Sequence, residues 1–361
     1  MMTEREAYVA FNLTERVGFA TVERLVREAG NVVAAWEAYP KKVSRAGGEI
    51  DWAGEFRLAE KFGVQIVTPA DETYPDMLKR APGRPLALYV KGDVGALGRP
   101  AVALIGTRRA TNYGLDIANR MAYDLAKSGF SVLSGLALGI DAESHRGALA
   151  AEGVTVGVIG SGLDCFYPEE NRELAREMVR KGGAVVSEFP FGRPADKTTF
   201  PIRNHVVAAL AKGVVAIEAP VKSGTLITTG IAADLGRTVM AVPARVDSRM
   251  SAGCLQLIRE GAILVRNADD VIEALGDLFA GKTPPSALKP SADSDPDRPP
   301  YTVEEALLMT HVDAEGVSID ALARLTGLPV LKVNALAMEL RIKGFVKFLP
   351  GNRISLLTGR R

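Results

Sequence analysis

The sequence predicts an α/β protein built on an open parallel sheet covered by helices on both faces. Three observations carry this. Ala101-Val-Ala-Leu-Ile105 runs without a polar break and stops at Gly106, the pattern of a strand buried on both faces. Six further short apolar runs follow, most ending at a glycine or proline turn. Segments of helical periodicity fill the gaps between them, and such alternation implies a parallel sheet.

Residues 1–75 read as a small helical unit, with helical periodicity over 4–12, 20–29 and 32–38. Leu13 to Leu25 loosely resembles a helix-hairpin-helix or sterile-alpha-motif element, and plain helical packing fits equally well. Residues 76–278 form the α/β body. After the first strand, Gly106-Thr-Arg-Arg109 turns the chain into a helix over 113–127, for which Asn112 is a candidate cap. The later strands are 130–134, 154–159, 183–187, 213–218, 238–242 and 262–265. Helices are expected over 171–180, 204–211, 225–235 and 254–260. Residues 279–300 are rich in proline and polar side chains, with little to bury, so they read as an extended tether. Residues 301–361 read as a helix, a helix–turn–helix pivoting on Gly327 and a hairpin around Pro350-Gly-Asn352, which together spell a winged helix. Its second helix carries Lys332 and Asn334 but few other basic groups, so DNA contact and protein docking both stand open.

Composition narrows the function. A net charge of +1 over 361 residues argues against a globally basic coat but allows a local basic pocket. Cys165 and Cys254 match no metal-site spacing and read as reduced core thiols. The three histidines are scattered, so no metal and no cofactor is expected. The sequence contains no run of eighteen apolar residues, and its N terminus lacks the pattern of a signal peptide. A cytoplasmic protein with no membrane partner is therefore expected.

The chemistry-bearing residues gather at the glycine turns that end the strands, the edge where open parallel sheets bind ligands. Gly-x-Gly-x-x-Gly, the Walker A loop and Gly-x-Ser-x-Gly are all absent. Arg108, two residues past Gly106, suits a bidentate phosphate clamp, and its neighbour Arg109 is expected to face away. Lys197 to Asn204 combines a lysine for phosphate with Phe200, either a stacking ring or a core residue. Arg203 is placed near the crevice mouth, with Asn204 as a candidate helix cap. Ser134-Gly135 and Ser223-Gly224-Thr225 offer N–H groups and hydroxyls at helix starts, as anions require. Asp141 reads as a helix cap or an acid–base group, the cap being favoured, and His145 as a packed histidine. No catalytic residue is assigned.

The segments Val102–Gly114, Ser134–Asp141, Gly162–Asn171, Phe200–Asn204 and Ser223–Thr228, in that order, closely resemble the DNA-processing protein A (DprA/Smf) family. The flanking helical and winged-helix units resemble the family's ends more weakly. The resemblance implies an extended Rossmann-like domain that binds single-stranded DNA as a homodimer, shields incoming strands during natural transformation and loads the RecA recombinase, with no reaction catalysed. It maps the family's turn glycine to Gly106, its pocket arginine to Arg108, and its lysine and stacking ring to Lys197 and Phe200. Two positions depart from the pattern. Thr107 replaces a serine and keeps the hydroxyl, whereas His205 replaces a second arginine and removes a charge. Leu255, Ile258 and Leu264 are candidates for the dimer contact. The competing readings are a nucleotide-hydrolysing enzyme of the lysine-decarboxylase-like group, of whose signature only Ser223-Gly-Thr225 is present, and a protein scaffold.

Overall fold

The computed structural model describes residues 1–40, 48–276, 302–313, 316–349 and 351–356. The chain divides into two compact units, Met1–Ser286 and Ala287–Arg361. The expected tether over 279–300 lies outside the described residues.

The first unit begins with helices α1 (Glu4–Leu13), α2 (Phe19–Ala29), α3 (Val32–Ala38) and α4 (Trp52–Phe62). Thr3 and Glu6 close a capping box on α1, and Asn31 and Asp51 cap α3 and α4. A nine-stranded sheet follows. Its strands are β1 (Gln65–Val67), β2 (Leu88–Gly92), β3 (Ala101–Gly106), β4 (Ser131–Ser134), β5 (Thr155–Val158), β6 (Ala184–Ser187), β7 (Gly213–Glu218), β8 (Thr238–Ala241) and β9 (Ile263–Leu264), with the short helix α5 (Asp76–Lys79) between the first two. Their spatial order is β1-β2-β6-β5-β4-β3-β7-β8-β9. Seven strands are parallel, as the apolar runs predict. At one edge β1 and β2, which were not among the expected strands, run antiparallel.

The remaining helices of this unit are α6 (Asn112–Lys127), α7 (Ile140–Ala150), α8 (Arg172–Arg180), α9 (Thr199–Leu210), α10 (Gly224–Asp234), α11 (Ala252–Arg259) and α12 (Ala268–Leu275). Alternate strand residues point to opposite faces. Val102 and Leu104 pack with Met121 and Leu125 of α6. Ala103 and Ile105 pack with Val206 and Leu210 of α9. Thr111, not Asn112, caps α6. Helix α9 starts five residues before the expected Asn204, because Pro201 falls in its first turn, where a missing N–H leaves no bond unmade.

The second unit contains α13 (Val303–Met309), β10 (Val317–Ser318), α14 (Ile319–Thr326), α15 (Val330–Ile342), β11 (Val346–Leu349) and β12 (Arg353–Leu356). Its sheet order is β10-β12-β11. Leu308, Leu322, Val333, Leu336, Leu340 and Ile354 share its core, and Gly327 turns between α14 and α15 in the left-handed region. This is a winged helix.

Candidate nucleic-acid interface

The strand order reverses between β3 and β7, the switch point at which open α/β sheets bind ligands. Here that position is filled from within. Glu218, the last residue of β7 and 1% exposed, directs its carboxylate at the start of α6. It accepts from the Thr111 backbone N–H (2.8 Å) and the Thr111 hydroxyl (2.9 Å). A carboxylate thus stands where a Rossmann fold would seat a phosphate on the helix N terminus. Thr107 N–H donates to the Glu218 carbonyl (2.7 Å).

The open cleft lies beside this point, over the carboxyl ends of β3, β4 and β5. It is lined by Arg108, Gly135, Ala137, Leu138, Gly160, Tyr167, Pro168, Phe200 and Arg203. Arg108 follows β3 and is exposed, with its guanidinium 4.8 Å from the centroid of the Phe200 ring. Among the described residues no carboxylate pairs with it. Phe200, half-buried in the first turn of α9, meets Tyr167 at 6.2 Å and lies against the Gly160 backbone, where a Cβ would come within 3.2 Å of the ring. Tyr167 is 49% exposed. A cation and two accessible rings on one wall suit a phosphate beside a base.

The floor is the 135–139 turn. Asp141 accepts from Gly135 N–H (3.1 Å) and Ala137 N–H (3.4 Å). Leu136 takes φ 53°, a strained value for a branched side chain. Its carbonyl accepts from the Asn171 amide (2.9 Å), which helps to fix that conformation. Arg203, 5% exposed, reaches under the floor and donates to the Val158 carbonyl (3.1 Å). Gly135 permits this approach, since a Cβ there would stand 1.5 Å from Arg203 Nη1 and 2.7 Å from Asp141 Oδ2. Burial pushes the Asp141 carboxyl above its usual range, against the pull of Arg203, and burial also lowers the Arg203 guanidinium.

The structure therefore brings Arg108, Gly135, Phe200 and Arg203 to one cleft. Gly106 lies beneath it, packed where a Cβ would strike Ile140 at 2.5 Å. Lys197 is exposed on the loop entering α9, two residues before its start, and does not line the wall. Several expectations are corrected. Ser134 is fully buried, its hydroxyl donating to the Leu104 carbonyl (2.6 Å). The strand-end N–H groups of Thr107 and Gly135 are already bonded within the protein, so they are not free to orient a phosphate. Asn204 lies inside α9 and caps nothing. Asp141 lies inside α7, whose cap is Gly139, and ties down the preceding turn instead. Ser223, Gly224 and Thr225 open α10 at the carboxyl rim beyond Glu218, away from the cleft wall. His205 is held neutral-leaning by burial, which agrees with the loss of charge expected at that position. His145 is packed as expected, its Nδ1 2.7 Å from the Thr155 hydroxyl.

The sequence profile of the DNA recombination-mediator protein A family matches residues 65–276, the part of the chain that holds both the sheet and the cleft. The chain belongs to the DprA family. A DprA winged helix domain matches residues 289–352. Protein Smf of Synechocystis is 30% identical, covering 97% of this chain and 98% of its own, and Protein Smf of Escherichia coli is 36% identical over 80% and 76%. Among solved structures, DNA processing protein A from Streptococcus pneumoniae has a TM-score of 0.64 at 29% identity, over 75% of this chain and 98% of its own. The Helicobacter pylori protein, described for a unique single-stranded DNA binding mode, has a TM-score of 0.53 at 30% identity, over 59% and 96%.

Sequence reasoning missed three residues that shape the cleft and its surroundings in this DprA chain. Glu218 ends an otherwise apolar strand, and that lone carboxylate was the available signal. Tyr167 stood in a quoted motif without a role. Glu55 carried no signal. From α4, buried to 6% exposure, it accepts from the Phe191 N–H (2.9 Å) on the loop that carries Lys197 to α9. Asp164 accepts from the next N–H, that of Gly192 (2.9 Å).

Proposed function

We propose that the cleft binds single-stranded DNA, with Arg108 and Lys197 neutralising phosphates and Phe200 stacking a base. One observation carries the reading: an unpaired guanidinium lies over an accessible aromatic ring at the mouth of a glycine-floored cleft. A duplex keeps its bases stacked, whereas an unpaired strand offers base faces to Phe200 and Tyr167. The wall residues are two guanidiniums, two rings and small or apolar groups, a set that holds an anion and a base and supplies no nucleophile with a partner base. Binding without catalysis is the proposed activity. The finer role follows the family: shielding incoming strands during transformation in the cytoplasm and passing them to the RecA recombinase.

A homodimer completes the proposal. Among the described residues, strand β9 ends the sheet and pairs only with β8. Its Ile263 and Leu264 are 44% and 45% exposed, and Leu255 and Ile258 on α11 are half-buried. In the winged helix, Leu331 and Met338 on α15 are exposed at 84% and 54%, and Lys332 is paired with Glu304. An apolar helix face with its cation neutralised favours protein docking there over DNA.

The test compares single- and double-stranded oligonucleotides of one sequence by gel shift across a salt series. Preferential retention of the single strand, weakening with salt, is the expected result. Equal affinity for the duplex would overturn the reading.

A further inference from the structure

The carboxyl rim is electrically lopsided. On the β5 and β6 side of the cleft, residues 160–172 and 188–198 carry five carboxylates, Asp164, Glu169, Glu170, Glu188 and Asp196, against Arg172, Arg193 and Lys197. On the β7 and β8 side the balance inverts. Residues 107–113, 219–223 and 243–251 carry Arg108, Arg109, Lys222, Arg245 and Arg249 against Asp247 alone. With the buried Glu218 at the end of β7 counted as well, five cations face two carboxylates, an excess of three positive charges in a chain whose net charge is +1.

These three loops form one continuous ledge. The first two leave neighbouring strands and are tied by Thr107 N–H to the Glu218 carbonyl (2.7 Å). The second is bound to the start of α11 by Gly253 N–H to the Ala219 carbonyl (2.8 Å). The third is joined to α6 by the Tyr113 hydroxyl on the Pro243 carbonyl (3.0 Å). Arg245 pairs with Asp247 (3.0 Å), the one exposed carboxylate of the ledge. Arg109, Lys222 and Arg249 are exposed, and among the described residues no carboxylate pairs with them. Tyr113, Val221 and Val246 stand among them at 46%, 50% and 91% exposure, offering apolar surface between the cations.

We propose that this ledge is a second segment of the strand path: DNA leaving the Arg108–Phe200 cleft crosses the Glu218 plug and runs over β7 and β8, its phosphates on Arg109, Lys222 and Arg249. The proposal rests on the cleft being a single-stranded DNA site. On the opposite side Glu169 pairs with Arg172 and Asp196 with Arg193, so the excess of positive charge lies on the ledge, which sets the direction of exit. From β5 to β8 the path crosses four strand spacings, about 19 Å, so only an oligonucleotide longer than the cleft can reach its end.

The experiment measures fluorescence anisotropy with oligothymidylates of about three nucleotides, too short to cross the path, and about sixteen nucleotides. It compares the wild-type full chain with the triple variant Arg109→Ala, Lys222→Ala, Arg249→Ala, whose melting temperature is checked against wild type. Three lost phosphate contacts lower the log–log salt slope by about 2 on single strands. The expected result is that fall, with about tenfold weaker binding, for the long oligonucleotide only. An unchanged slope and affinity for the long oligonucleotide would overturn the proposal. Equal losses on both lengths would also overturn it, because the cations would then belong to the cleft. A wild-type protein that binds neither oligonucleotide removes the cleft reading and this proposal with it, whereas a short oligonucleotide bound normally by the variant keeps the cleft reading intact.

Discussion

The Arg108 guanidinium lies 4.8 Å from the centroid of the Phe200 ring, although 92 positions separate the two residues in the chain. Arg108 is placed by the end of β3 and Phe200 by the first turn of α9, so the pair exists only once the sheet has formed. Its position depends on the floor between them, and that floor tolerates little change.

Gly135→Ala tests the floor. A Cβ 1.5 Å from Arg203 Nη1 cannot be accommodated without moving a buried guanidinium. Overpacking of this kind costs about 1–3 kcal/mol. The urea midpoint should fall, and single-strand binding should weaken at urea concentrations where the variant is still folded.

Glu218→Ala tests the plug. It removes the carboxylate that accepts from the N–H and hydroxyl of the exposed Thr111, and hydrogen bonds to a charged group contribute about 1.5–3 kcal/mol. Equilibrium denaturation should show the destabilisation, and Glu218→Gln, which keeps an acceptor oxygen, should recover part of it.

His145 gives the fold a pH dependence. Burial takes its imidazole from 6.5 down to about 3, so the unfolded chain binds the proton first. The stability gained from the neutral buried ring is full above about pH 6.5 and is lost as pH falls toward 3, by about 1.4 kcal/mol per pH unit. Denaturation midpoints between about pH 4 and 7 should show this slope, and His145→Gln should flatten it.

Much of this was legible in the sequence, for reasons that also explain the gaps. Strands β3 to β8 showed themselves because burial on both faces demands unbroken apolar runs such as Ala101–Ile105. Strands β1 and β2 did not, being short and separated by the Pro- and Gly-rich 80–86 stretch. Arg108 and Phe200 were found because they sit beside glycine turns or within a distinctive Phe-Pro-Ile-Arg-Asn run. Ser134 was misplaced because, in a strand buried on both faces, the pattern does not say which way a terminal hydroxyl points. Glu55 was invisible because its partner, the Phe191 N–H, lies 136 residues away.

That bond makes a further prediction. Glu55→Ala removes the acceptor that ties the Lys197 loop to α4. The melting temperature should fall, and binding should weaken less than in Arg108→Ala, because the Arg108–Phe200 pair remains.

The most direct test of the cleft is a salt series of single-strand affinities for Arg108→Ala and Phe200→Ala against wild type. Phe200→Ala should weaken binding by the equivalent of about 1–3 kcal/mol per base stacked, with the log–log slope unchanged. Arg108→Ala should lower that slope by about 0.7. If both variants keep wild-type affinity and slope, the strand binds elsewhere and the assignment of this cleft is wrong.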